Sequence, residues 1–262
     1  MTGPLHLVLC RWTAVAAAAF GTALWLWPGS SDALPSGPLA PLHARCIGAV
    51  HLALACGLWS ARRRLDPAAA MPLLRLLACW GGVCALAWLA AGHPPTGWAW
   101  PAVAGAGTTA AAVLVVRDAV AHAAQHAPAE RADPGWAALA LVATALGAAL
   151  LLVPGWVAVR WPWRMGPPQA AAWGAPLLGF AAAAWTAARE RRRYVREPVL
   201  HAWLTLALGV LAASALHRRL LDPARGVTWS GSAPCWRWPG GEWRRSAPAA
   251  DTADGPAPTP QI

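Results

Sequence analysis

Ionisable side chains are scarce inside the long apolar runs of this chain, so those that fall there are the first candidates for chemistry. His51 lies near the middle of one such run. An ionisable group in hydrocarbon is expensive enough to mark a functional site by default. A neutral imidazole there needs only a hydrogen bond to a neighbouring helix; its other uses are a proton relay or a ligand contact. Arg75 and His201 each follow a proline by three residues, Pro72 and Pro198, which read as helix-initiating. Such side chains can snorkel to headgroups, or flank a pathway between repeated units. In "RDAVAHAAQHAPAE", Asp118, His122, His126 and Glu130 recur every fourth residue. His122 and His126 would share a helix face at a spacing able to hold zinc. Pro128 should end that helix before Glu130, no third ligand is assured, and a solvated inner loop explains the pattern equally, so no metal or cofactor is expected. "RWPWRMGPPQAAAWG", Arg160 to Gly174, offers Trp161, Trp163 and Arg164, read as interfacial anchors or as a ligand site built on cation–π contacts. No zinc-protease, nucleophile-elbow, phosphate-loop or dinucleotide fingerprint occurs. No carboxylate lies within an expected span, so a carboxylate-driven proton carrier is disfavoured and no catalytic residue is assigned. An enzyme is the less expected class.

These residues must be positioned by membrane helices. The chain is 57% hydrophobic and only 12% charged, where a soluble domain carries about 25% charged residues. Seven segments are long enough to span about 30 Å of hydrocarbon at about 1.5 Å per residue: 7–27, 43–61, 71–92, 98–116, 136–159, 169–187 and 198–217. The span 43–61 is weakened by His43 and Arg45 at its start. The fold class is therefore all-α, a polytopic helical membrane bundle. Six cysteines (Cys10, Cys46, Cys56, Cys79, Cys84 and Cys235) form no CxxC pair and read as small apolar side chains.

Every one of the 21 basic residues is arginine, and the net charge is +10. The arginines cluster between apolar runs, which points to loops facing a cytoplasm and an anionic leaflet, not to nucleic acid. Ten fall in the connections 61–70, 117–135 and 188–197, which share one side if all seven spans insert. That places the amino terminus in the cytoplasm and suggests a bacterial inner membrane, a source in keeping with an alanine-, proline- and arginine-rich composition. Arg218 and Arg219 run against the rule, lying on the outer side. Trp25, Trp27, Trp98, Trp100, Trp156, Trp161 and Trp163 fall at outer ends, as an aromatic belt would.

Displaced on itself by 126 residues, the sequence aligns 14–90 with 140–216 without a gap, with 21 identities in 77 positions. Residue frequencies alone would give about eight. Pro28-Gly29 meets Pro154-Gly155, Pro41 meets Pro167, Trp59 meets Trp185, and Arg75 meets His201. The organisation reads as a first membrane repeat over 1–97, a linking span and inner loop over 98–135, and a second repeat over 136–217. A basic, tryptophan-rich and then disordered tail follows over 218–262. Four crossings separate the copies, so these are two parallel three-helix repeats. Because 14–27 reappears as 140–153, and "MTGPLH" has no basic side chain, the first span reads as a retained helix and not a cleaved signal.

The stretch "WPWRMGPPQAAAWGAPLLGFAAAAWTAARERRR" resembles an uncharacterised group of bacterial multi-pass membrane proteins. The shared form is a W-P-W element (Trp161, Pro162, Trp163), a small-residue helix start at Gly174 and a basic helix end at Arg191 to Arg193. The first copy departs from it, with Pro35, Ser36 and Gly37 in place of Trp-Pro-Trp. The resemblance implies a membrane location and no activity. Two roles remain open: binding or passage of a small solute at the repeat interface, and a non-catalytic component that packs in the lipid bilayer against a partner protein.

Overall fold

Proline punctuates the helices of this chain, because the first helical residue needs no N–H donor and its φ is already set. The computed structural model describes residues 3–33, 39–64, 66–90, 133–163 and 165–220. The expected span 98–116, His122, His126, Arg164 and the tail beyond Leu220 lie outside these residues. Among the described residues are seven α-helices: α1 (Gly3–Leu26), α2 (Pro41–Arg63), α3 (Pro67–Ala90), α4 (Pro134–Leu152), α5 (Pro154–Arg160), α6 (Pro167–Arg189) and α7 (Arg193–Leu216). Five of the seven begin on proline. All but α5 are long and apolar enough to cross a membrane. The chain is thus an all-helical membrane protein with six such helices described.

Three boundaries differ from expectation. The span 136–159 is broken at Val153, whose φ of −133° leaves the helical region; Pro154 has no N–H to continue the ladder, so α5 starts afresh. Pro72 and Pro198 do not initiate their helices but lie inside α3 and α7. Ala68 to Ala70 in one case and Tyr194 to Glu197 in the other carry the helix upstream of them.

The bounds of α6 and α7 are those of α2 and α3 displaced by 126 residues at both ends. The pairings follow the same displacement. The two largest interfaces are α1 on α2 and α4 on α6, followed by α2 on α7 and α3 on α6. In the first pair a Cβ on Gly21 would sit 2.9 Å from the Gly48 carbonyl oxygen, and one on Gly48 would sit 2.8 Å from that of Gly21. In the second, Gly147 and Gly174 repeat the arrangement at 3.1 and 2.8 Å. Without a hydrophobic drive between helices in lipid, such close backbone approach is what supplies packing energy.

Directions follow from these contacts. Gly57 of α2 meets Pro198 and Ala202, while Gly209 meets Ala49, so α2 and α7 are antiparallel. Gly179 of α6 meets Leu76 and Trp80 of α3, and Thr186 meets Arg75, so α3 and α6 are antiparallel too. Since α6 reverses into α7 within three residues, α2 and α6 run the same way. They are also the most enclosed of the six helices.

One end of the bundle gathers the start of α1, the turn at Arg64–Asp66, the N-cap of α4 and the turn at 190–192. There Arg64 pairs with Glu197, and Asp133 meets both Ala188 and Arg196. We call this the arginine end. At the opposite, tryptophan end stand Trp25, Arg45, α5 and His217. Leu141, Val142, Leu204, Leu208 and Leu211 are exposed on the outer faces of α4 and α7, a surface suited to acyl chains.

Candidate functional site

Near the arginine end, the two seams that join the halves carry matching polar bonds. Arg75 of α3 donates from its guanidinium to the Thr186 hydroxyl of α6 at 3.1 Å. His201 of α7 hydrogen-bonds through Nδ1 to the Ser60 hydroxyl of α2 at 2.9 Å. Arg75 and His201 lie 126 residues apart, and so do Ser60 and Thr186. Each bond crosses between halves and ties a helix to its non-sequential neighbour. The hydroxyl partners were not among the expected site residues, yet the 126-residue displacement aligns them, and that alignment could have found them.

The expected polar residues do not converge. Arg75 and His201 sit in separate seams, and His51 stands deeper, on α2. His51 donates Nδ1–H to the Ile47 carbonyl one turn back, at 2.9 Å. Its ring lies edge-on between Phe20 at 4.7 Å and Trp80 at 5.2 Å. A carbonyl partner on its own helix engages Nδ1, and the neighbours on either side of the ring are aromatic.

His201 opens onto a groove of about 490 Å³ between α2 and α7, lined by Cys56, Trp59, Ser60, Arg63, Arg64, Glu197 and His201. Its rim is charged, with Arg64 neutralised by Glu197. Across the bundle end, Asp133 caps α4 by accepting from the N–H groups of Gly135 at 3.0 Å and Trp136 at 3.3 Å, and pairs with Arg196 at 2.8 Å. The Trp136 N–H, then that of Gly135 and the Arg196 charge, hold the Asp133 carboxyl below the usual carboxylate range. Hydrogen bonds from Arg192 do the same for Glu190. Arg62 and Arg189 lie over the rings of Trp59 and Trp185 at 5.1 and 5.8 Å.

The tryptophan end is organised differently. Trp161 and Trp163 meet edge to face with centroids 5.3 Å apart, and Trp163 faces the His43 ring at 6.5 Å. Trp163 is 7% exposed and His43 only 2%. Among the described residues, neither nitrogen of His43, nor the indole N–H of Trp161, Trp163 or Trp173, has a hydrogen-bond partner. The indole N–H groups of Trp161 and Trp163 are packed inward, whereas Trp27 and Trp156 are exposed. After the break at Pro154, α5 leads into Trp161–Trp163, and Trp163 comes against His43 in the first turn of α2. Arg45 also belongs here. Its Nε donates to the Trp25 carbonyl at 3.2 Å and its guanidinium to His217 Nε2 at 2.9 Å. His217 Nδ1 donates to the Ala213 carbonyl, so Nε2 is the accepting nitrogen of a neutral ring.

No family model, curated protein sequence or solved structure matches this chain. The functional reading therefore stands on the geometry. Among the described residues no group of three or more histidine, cysteine, aspartate or glutamate side chains is placed to hold a metal ion. The five described cysteines are free thiols, with Cys10 and Cys46 buried and Cys56 and Cys84 exposed.

Proposed function

We propose that this chain is a non-catalytic component of a bacterial inner membrane, a closed bundle of two parallel three-helix repeats that acts by packing against a partner protein. The observation that carries the reading is the sealing of both seams between halves. A Cβ on Gly209 would lie 2.5 Å from that of Ala49, one on Gly57 would lie 3.0 Å from the Pro198 carbonyl oxygen, and one on Gly179 would lie 2.8 Å from that of Leu76. Seams packed to backbone contact favour a structural role over passage along them. A seventh crossing, expected over 98–116, would join α3, which leaves from the arginine end, to α4, which begins at that end. The arginine clusters favour a cytoplasmic arginine end, and with it a cytoplasmic amino terminus.

The full chain, extracted in mild detergent, should co-purify with one membrane neighbour at fixed stoichiometry. Reporter fusions at Arg63 and Arg192 should fall on the same, cytoplasmic side. A chain that purifies alone and drives uptake of a solute lost in His201→Ala would replace this reading with the second one, passage starting at the α2–α7 groove.

A further inference from the structure

We propose that the groove between α1 and α2 at the arginine end binds the phosphate of an anionic phospholipid. The inference rests on the chain crossing a bilayer and is independent of any protein partner. The groove, about 330 Å³, is lined by Leu7, Val8, Arg11, Arg62 and Arg63. Three arginines thus line one groove to which, among the described residues, no carboxylate contributes; Arg63 also borders the α2–α7 groove that holds Glu197. Among the described residues the acids of this end are engaged elsewhere: Glu197 with Arg64, Asp133 with Arg196, Glu190 with Arg192, and Asp66 with the Ala68 N–H at the start of α3. Arg63 is exposed and has neither an ion pair nor a hydrogen bond among the described residues.

Arg11 and Arg62 lie over the rings of Trp12 and Trp59 at 5.7 and 5.1 Å. A cation–π contact of this kind uses none of the guanidinium N–H groups as hydrogen-bond donors, and that planar fork matches two phosphate oxygens at once. The remaining wall is aliphatic. Leu7 opens the first apolar span, and Val8 beside it is 49% exposed. A phosphate at the mouth would leave acyl chains lying down α1, from Leu7 and Val8 toward Val15. Inorganic phosphate would use the arginines but not this wall, which is why a lipid is the occupant favoured. Basic pockets between membrane helices take anionic headgroups on this chemistry.

The test uses the full chain in mild detergent, titrated with phosphatidylglycerol or phosphatidylcholine and read by native mass spectrometry. One phosphatidylglycerol should be retained in preference to phosphatidylcholine. At about fivefold per arginine near a membrane surface, the triple change R11Q/R62Q/R63Q should weaken retention about a hundredfold. The corresponding lysine triple should keep most of it, and Arg160→Gln at the tryptophan end should change nothing. If the glutamine triple loses its helical signal, Arg63→Gln alone carries the test through a weakening of about fivefold. Equal retention of the two lipids, or retention unaltered by Arg63→Gln, overturns the proposal. So does binding of inorganic phosphate that displaces the lipid and is unaffected by Leu7→Ser. A chain soluble without detergent would instead refute the membrane reading itself, whatever its affinity for phosphate.

Discussion

Gly21 against Gly48 and Gly147 against Gly174 are one contact made twice, whereas His43 and Gln169, equally 126 residues apart, do different work. Gln169 accepts the Gly166 N–H at 2.9 Å and so closes the start of α6. His43, at the same third position of α2, is buried without a partner, and α2 has no side-chain cap. Between these extremes lie Arg75 and His201, which differ in identity but make equivalent bonds to Thr186 and Ser60. The two halves therefore separate what the packing demands from what each half is free to vary. Backbone approach is demanded twice, a polar bond across the seam is demanded in kind, and the buried polar residues of the first half are peculiar to it.

The largest test of that ordering is at the glycines. Gly48→Val and Gly174→Val each force a branched side chain against a carbonyl 2.8 Å from the position of its Cβ. Overpacking of this kind costs about 3 kcal/mol. Both variants should melt well below the parent in the same detergent, and by similar amounts. A variant tolerated at one site only would show that the two hairpins are not mechanically equivalent.

Much of this arrangement was legible beforehand, and the parts that were not have physical causes. Length and the near absence of charge are sufficient for spans, and six of the seven expected ones coincide with apolar helices; the seventh, 98–116, lies outside the described residues. The break at Val153 was hidden because hydropathy runs on through Val157 and Val159, and only the missing N–H of Pro154 interrupts the helix. The starts of α3 and α7 lie upstream of the prolines that mark them in the sequence, because proline is tolerated in the first turns of a helix and the residues before Pro72 and Pro198 continue it. The seams between halves join residues far apart in sequence, so nothing periodic along α2 points to α7. His43 stands in the sequence only as a polar residue at a span edge; its burial involves Trp163, which follows α5 and lies far away in sequence. Arg75 and His201 were legible as polar positions, but their partners emerge only when the displacement is applied to Ser60 and Thr186 as well.

His43→Gln transplants the second half's solution into the first. A glutamine there can accept the Ala40 N–H as Gln169 accepts that of Gly166, and it removes two orphaned ring nitrogens. A gain of about 1 kcal/mol in stability is expected, seen as a raised melting temperature in detergent. A fall instead would mean that His43 and the indole N–H groups around it serve a bound polar molecule, and that the first half has specialised.

The seam bonds should show a smaller, paired effect. Arg75→Ala and His201→Ala each delete one interhelical hydrogen bond, worth about 0.6 kcal/mol in a membrane helix pair. Double-mutant cycles with Thr186→Ala and Ser60→Ala should return couplings of that size for both pairs and none for the crossed combinations. Coupling between Arg75 and Ser60 would break the assignment of one bond to each seam.

Least of all should depend on His51. Its counterpart 126 residues on is Leu177, which packs in the same core without a polar atom. The imidazole's own bond is to the Ile47 carbonyl, already the acceptor of a helical N–H, so its removal orphans nothing. His51→Leu should therefore shift stability by less than about 0.5 kcal/mol, and leave co-purification with the membrane neighbour intact. Loss of that neighbour in a variant that still folds would mean that the edge-on contacts to Phe20 and Trp80 shape a binding surface, giving the first half a role the second does not share.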